Sequence, residues 1–326
     1  HTMSVSAFLL NRSSDIAMLK PCLDSLVSQT LHDIQVICVN DASTDNSLQV
    51  LNEYAGKDNR IEVISLSKNC GQAHARNIAL QQAKGDYTCF LDADDWYAPD
   101  TLQLMVEAFD DDTDCVLLDV VMHDDNHEEH YLMPPFDSID GNEAFRMSLT
   151  WQIHGVYGVR TALHKRFPYD ETCRSYSDDN TTRIHFLCAR KVGRCAGKYY
   201  YRQHSLSVTH KVSIRRFDYL RANESMRRQL LDLNVDKQLI DIYENHRWLN
   251  LVGVYMFYHV HGKELNKEER IFGLHEIKRV WEGIDCQALN KMTTAKLGYR
   301  HYKYWWLFRM QEWLYFTLRG FLGKNR

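Results

Sequence analysis

Four short apolar runs punctuate the first part of the chain: Val5 to Leu10, Ile34 to Val39, Ile61 to Leu66 and Tyr87 to Leu91. Their length and composition predict strands. Between them Ile16 to Gln29, Ser47 to Ala55 and Gln72 to Ala83 have helix-like patterns, so strand and helix alternate three times in about ninety residues. This predicts an α/β domain on a mostly parallel, doubly wound sheet with flanking helices. Such sheets bind ligands outside the carboxyl ends of their strands. There the first, second and fourth strands deliver Asn11, Asp41 and Asp92.

Beyond Asp110 the pattern weakens. Cys115 to Met122 reads as a strand, His123 to His130 as a solvated loop, and Trp151 to Thr209 as a second ordered block. From about Ser213 the composition turns helical, with Leu220, Met226, Leu230 and Leu233 near helical spacing. The expected division is a domain over residues 4–212 and a helical C-terminal region over 213–326. The full 326 residues suffice for a large core. A formal net charge of −4 argues against nucleic-acid binding through overall charge. Nine cysteines without a Cys-x-x-Cys pair fit reduced thiols better than a disulfide framework or zinc site. No apolar run reaches the roughly 18 residues of a membrane span, and the opening residues lack a signal peptide's pattern. A cytoplasmic protein is expected.

The densest chemistry lies in Cys89-Phe90-Leu91-Asp92-Ala93-Asp94-Asp95-Trp96, where an apolar strand runs into three carboxylates. In extended backbone residues i and i+2 point the same way, so Asp92 and Asp94 can face one ligand. Clustered carboxylates suit a hard divalent ion, Mn²⁺ or Mg²⁺, which can also hold nucleotide phosphates. The alternative is an acidic loop capping the helix expected after Pro99. At the end of the second strand, Asp41 can accept the imide N–H of a uracil ring, which favours uridine nucleotides. Asp41, Ser43, Thr44 and Asp45 can equally turn the chain into the helix near Ser47.

Four ordered motifs together resemble glycosyltransferase family 2, nucleotide-sugar-dependent enzymes of the GT-A fold. They are Ile37-Cys38-Val39-Asn40-Asp41-Ala42-Ser43-Thr44-Asp45, Asn69-Cys70-Gly71 with Ala75-Arg76-Asn77, Gly85-Asp86-Tyr87, and Phe90-Leu91-Asp92-Ala93-Asp94-Asp95. The resemblance covers about residues 4 to 210. It implies nucleotide-sugar binding by Asn11, Asp41, Asn69, Arg76, Asp92, Ala93 and Arg202, and a metal held by Asp94 and Asp92. Arg76 would pair with a phosphate or with Asp92, and Asp95 would cap the next helix. In Ser177-Asp178-Asp179-Asn180 the general base of an inverting transfer would be Asp179, with Asp178 as fallback. The segment Tyr199-Tyr200-Tyr201-Arg202-Gln203-His204-Ser205-Leu206-Ser207-Val208-Thr209-His210 would cross near the diphosphate, with His204 or His210 completing the metal shell. One departure stands out: where the family's first strand usually ends in Pro-x-Tyr-Asn, this chain reads Asn11-Arg12-Ser13-Ser14. Base stacking then falls to Arg12 or to another part of the chain.

Lys291 to Arg326 holds eight Lys or Arg against one acid, Glu312, interleaved with ten aromatic residues from Tyr299 to Phe321. That composition suits an anionic bilayer interface, the alternative being packing on the catalytic domain or a second subunit. The expected activity is transfer of a sugar from a UDP-sugar donor to a hydroxyl of a growing glycan or lipid-linked acceptor, in bacterial cell-surface polysaccharide synthesis. The expected place is the inner face of the cell membrane, with homo-oligomerisation left open. A nucleotidyltransferase acting on sugar phosphates is the catalytic alternative, though no Gly-rich triphosphate loop follows the first strand. A non-catalytic glycan- or membrane-binding scaffold is the other.

Overall fold

A computed structural model of the chain describes residues 2–9, 16–124, 127–173, 175–203 and 212–324. Asn11, Arg12, His204 and His210 lie outside them. The chain divides into two compact units, His1–Glu171 with Thr181–Ser207, and Thr172–Asn180 with Val208–Arg326.

The first unit is built on one ten-stranded sheet. Strands β1 (Met3–Leu9), β2 (Ile34–Asn40), β3 (Ile61–Ser65) and β4 (Tyr87–Asp92) pair in parallel in the order β3-β2-β1-β4. Helices α1 (Ile16–Val27), α2 (Ser47–Ala55) and α3 (Gln72–Gln82) connect them. Every residue of β2 is buried, because its two faces feed different cores. Val36 and Cys38 pack with Leu19, Leu23 and Leu26 of α1, while Ile37 and Val39 pack with Ala75, Ala79 and Leu80 of α3. A strand covered on both faces needs a continuous apolar run, which Ile34 to Val39 supplies. Strand order reverses where β1 lies between β2 and β4, the place where such sheets open a ligand crevice.

Beyond β4 the sheet is mixed. A short β5 (Trp96–Tyr97) and α4 (Thr101–Glu107) precede β6 (Thr113–Asp124), β7 (His127–His130), β8 (Ser138–Asp140) and α5 (Gly141–Leu149). Then come β9 (Tyr157–Arg160), α6 (Thr161–Arg166), α7 (Asp178–Cys188) and β10 (Lys191–Arg202). Antiparallel β9 sits between β4 and β6, β10 runs parallel to β6, and β5 pairs antiparallel with β10. The predicted loop His123 to His130 is instead a hairpin, with Val121 opposite His130 and Asp124 opposite His127. All four residues of β7 are exposed, so this edge strand has no apolar face to betray it.

In the second unit α8 (Asp218–Asp232), α9 (Lys237–His261), α10 (Lys267–Glu282), α11 (Lys291–Thr294) and α12 (Trp305–Phe321) follow a 3₁₀ turn at Ile214–Phe217. The segment Thr172–Asn180 joins this unit although the sequence places it in the first domain. Its polar and aromatic side chains explain why. Asn180 Nδ2 donates to the Ala222 carbonyl at 2.8 Å, and Tyr176 meets Tyr219 edge-on at 4.7 Å. The core gathers Phe217, Trp248, Leu251, Tyr255, Ile277, Trp281, Phe308 and Phe316. A reciprocal cap starts α10: Asn266 Oδ1 accepts from Glu269 N–H, and Glu269 accepts from Asn266 N–H. Part of the expected interfacial tail is therefore core, since Phe308 and Phe316 of α12 pack against Tyr255 of α9. All nine cysteines are free thiols. Among the described residues no helix is long and apolar enough to cross a membrane.

Candidate active site

Two acids at the carboxyl ends of β2 and β4 are tied together by the start of α3. Asp41 is fully buried, and its carboxylate accepts Cys70 N–H at 2.7 Å and Gly71 N–H at 2.8 Å. Asn69 closes the same loop by donating to the Asp41 carbonyl at 3.3 Å. Gly71, with φ of 93°, occupies backbone space that side-chain-bearing residues avoid, and α3 begins at the next residue. That residue, Gln72, donates to Asp92 Oδ1 at 3.1 Å. Asp41 thus fixes the loop whose helix then reaches Asp92, a structural task combined with its place at the strand end.

Arg76 is one turn further along α3, on the same face as Gln72. Only 2% exposed, it bonds Asp92 Oδ1 at 2.9 Å, with its guanidinium 4.1 Å from the Phe90 ring and 5.1 Å from that of Tyr169. Of the two partners expected from sequence, the structure pairs it with Asp92. Asn77 holds Tyr169 beside it, donating to the Tyr169 carbonyl at 2.9 Å and accepting its N–H at 2.8 Å. A planar cation between two rings, bonded to a carboxylate, orients that carboxylate more firmly than a flexible ammonium could.

The turn after Asp92 is anchored from the other side. Asp95 N–H donates to the Asp92 carbonyl at 3.0 Å. Asp95 does not cap the following helix, whose N-cap is Asp100. Its carboxylate is buried, accepting the Tyr199 hydroxyl at 2.5 Å and Arg202 N–H at 2.8 Å. Burial first, and then the charges of Asp94 and Asp92, push its pKa well above the usual carboxylate range. Arg202 completes the clasp, its Nε donating to the Asp94 carbonyl at 2.9 Å and its guanidinium lying 4.7 Å from the Trp96 ring. Trp96 in turn stacks on Tyr200 at 5.2 Å. The end of β10 therefore holds the acidic turn in place.

Asp92 and Asp94 remain half-buried, one residue apart on this fixed turn, while the Ala93 methyl packs into the core. Any contribution of Ala93 to a nucleotide sugar would run through its backbone. Asp178 and Asp179 lie in the first turn of α7, where the helix N-terminus favours negative charge, and belong to the second unit. Among the described residues no group of three or more His, Cys, Asp or Glu forms a ready metal cluster. Two carboxylates nonetheless suit Mn²⁺ or Mg²⁺, which take one or two from the protein and share the rest of their sphere with water and phosphates.

Sequence reasoning gave no individual role to Gln72, Asn77, Tyr169 or Tyr199, although Asn77 and Tyr199 lie within the motifs that carry the resemblance. Gln72 could have been found from its place four residues before Arg76 on one helix, whereas Asn77, the next residue after Arg76, lies off that face. Alternation in Tyr199-Tyr200-Tyr201 does not single out Tyr199, since the first and third positions share a strand face and yet the first ring is buried and the third exposed. Tyr169 carried no local signal.

Residues 9–168 match the family described as Glycosyl transferase family 2. The putative glycosyltransferase EpsH of Bacillus subtilis (strain 168) is 32% identical over 151 residues, covering 40% of this chain and 44% of that protein. The poly(ribitol-phosphate) beta-glucosyltransferase of Bacillus spizizenii is 44% identical over 88 residues, 26% of this chain and 14% of the relative. The chain thus spans less than half the length of these two relatives. Among solved structures, S. aureus TarS 1-349 in complex with UDP-GlcNAc superposes with a TM-score of 0.77 at 19% identity, covering 99% of this chain and 93% of that one. With the fold, the acidic turn and the family match in agreement, residues 9–168 form a glycosyltransferase family 2 domain, and the chain has a GT-A fold.

Proposed function

We propose that the chain is a metal-dependent, inverting glycosyltransferase that moves a hexosyl or N-acetylhexosaminyl group from a UDP-sugar to a hydroxyl of a growing glycan or lipid-linked acceptor. The setting is bacterial cell-surface polysaccharide synthesis at the inner face of the cell membrane. The observation that carries it is the Asp92-Ala93-Asp94 turn, gripped from α3 by Gln72 and Arg76 and from β10 by Tyr199 and Arg202. A turn held from two sides presents its carboxylates without reorganisation when ligand arrives. The poly(ribitol-phosphate) beta-glucosyltransferase and the UDP-GlcNAc complex of TarS support the donor class and the cell-surface setting.

In this reading Asp41 and Asn69 shape the uracil end of the site and Asp92 the ribose side. Asp94, helped by Asp92, would hold Mn²⁺ or Mg²⁺. Such an ion, when bound, neutralises charge on the departing diphosphate. Arg202 adds a fixed positive charge beside the turn. His204 and His210, the further metal ligands expected from sequence, lie outside the described residues. Asp179 takes the proton from the acceptor hydroxyl, with Asp178 as its substitute. As the acceptor oxygen bonds to the anomeric carbon, the bond from that carbon to the phosphate oxygen breaks and its electron pair leaves with UDP.

The test is a donor panel read out by nucleoside diphosphate release, with and without Mn²⁺ and chelator. Asp94→Asn is expected to abolish metal-stimulated transfer, and Asp179→Asn to remove transfer while leaving UDP-sugar affinity largely intact. Near-normal turnover by either variant overturns its assignment. Release of pyrophosphate instead of nucleoside diphosphate identifies a nucleotidyltransferase.

A further inference from the structure

Helix α12 is apolar on two opposite sides, and the protein covers only one of them. Phe308, Gln311, Glu312 and Phe316 are buried within the second unit. Around the other side run Trp306, Met310, Trp313, Leu314 and Phe321, spaced by four, three, one and seven residues so that they form one stripe. Trp306, Trp313 and Phe321 are 61%, 58% and 85% exposed, which leaves these rings in water. A helix with apolar residues all round is normally buried all round, and an exposed stripe of this kind marks a surface that meets something apolar.

The charge around the stripe says what that is. Lys291, Lys296, Arg300, Lys303, Arg309 and Lys324 are all exposed on the same C-terminal segment. The segment's single acid, Glu312, is fully buried and offers nothing to the surface. Exposed charge here is therefore entirely positive. Two copies of the chain pairing stripe to stripe would bring these cations together with no acid of the segment to offset them. A nucleic-acid duplex would satisfy the cations but leave the tryptophans in water, and a single strand stacked on those rings would still leave Met310 and Leu314 uncovered. An anionic bilayer satisfies both, with Trp rings and aliphatic side chains at headgroup depth and Lys or Arg on the phosphates.

We infer that the exposed stripe of α12 lies in the interface of an anionic lipid bilayer, and that this helix, half core and half membrane contact, is the element that seats the protein there. This sharpens the reading of the basic, aromatic tail. Tyr299, Trp305, Phe308, Tyr315 and Phe316 pack inside the second unit, and the lipid contact falls to the five apolar residues of the opposite side. The inference concerns binding alone and holds whichever donor or reaction the first unit serves.

The test is flotation of the full chain with vesicles of phosphatidylcholine containing phosphatidylglycerol, and with phosphatidylcholine alone, in the absence of nucleotide. Expected is binding to the anionic vesicles that falls at least about tenfold in the Trp306→Ser, Trp313→Ser, Phe321→Ser triple variant. A Lys296→Gln, Lys303→Gln, Lys324→Gln variant is expected to lose the preference for anionic lipid while keeping its thermal midpoint. Because both sets of residues are exposed, an unchanged far-ultraviolet spectrum is expected throughout. If the apolar variant is misfolded, the charge variant and the salt dependence of the native chain decide. No binding by the native chain overturns the inference, as does unchanged binding by the variants. So does self-association, seen by sedimentation, that the apolar variant abolishes while vesicles are ignored.

Discussion

Asp41, Asp92, Asp94 and Asp95 are the same residue type at neighbouring strand ends, yet each meets a different environment. Asp41 is locked onto two backbone N–H groups, Asp92 onto Gln72 and Arg76, and Asp95 is buried under Tyr199. Their positions were legible in the sequence because acids at strand ends stand out against apolar runs. Which acid would be sealed in was not, since Tyr199 lies 104 residues from Asp95. Glu312 shows the same dependence on distant partners. It is buried on α12, faces Tyr255 and Tyr299, and accepts one bond, from Gln311 Nε2 at 2.8 Å. Burial pushes its pKa from 4.5 up to about 8. Between those values the unfolded chain is ionised at this site while the folded chain keeps its proton, so stability falls as pH rises through that window. Glu312→Gln, which cannot ionise, is expected to match the native chain near the lower limit and to exceed it above the upper one. The gain is on the order of 5 kcal/mol, read from urea midpoints at the two ends of the window.

At the level of elements, periodicity was a good guide wherever one face or both faces were apolar. β2 and α3 could be placed because their apolar residues repeat in two distinct ways and bury against each other. β7 could not, because an edge strand of His127, Glu128, Glu129 and His130 has no apolar face and is held by backbone pairing with β6 and by polar contacts of Glu128 with His123 and of His130 with Asp119. Close helix contacts are equally silent in sequence. Gly273 of α10 lies under Phe217, where an added Cβ would come within 2.2 Å of the ring. The ring is itself fully buried and has nowhere to go. Gly273→Ala is therefore expected to destabilise the second unit by about 1–3 kcal/mol despite the better helix propensity of alanine, measurable as a lower denaturation midpoint.

For the whole molecule, binding and stability are linked through the site. A ligand that binds only the folded chain stabilises it by about 2.7 kcal/mol at a hundred times its dissociation constant. If Asp94 and Asp92 hold a cation that also contacts the diphosphate, UDP-sugar and Mn²⁺ together should raise the thermal midpoint by more than the sum of their separate effects. In Asp94→Asn that excess is expected to vanish. Separate effects that simply add in the native chain would argue against a shared site. Charge at this scale is divided as well: the chain is acidic overall, at −4, while its C-terminal segment is basic.

By itself the sequence determined the alternation of strands and helices, the strand ends at which acids gather and the cationic, aromatic character of the segment from Lys291 onward. These are local properties, carried by neighbours within a turn or a strand. Tertiary structure alone decided that Arg76 would lie between Phe90 and Tyr169 against Asp92, and that Asp95 would be a buried anchor instead of a cap. It also decided that Thr172–Asn180 joins the helical unit, and which side of α12 is core. Each of those outcomes depends on side chains brought together across long stretches of chain, where burial and competition for hydrogen bonds, not sequence spacing, set the result.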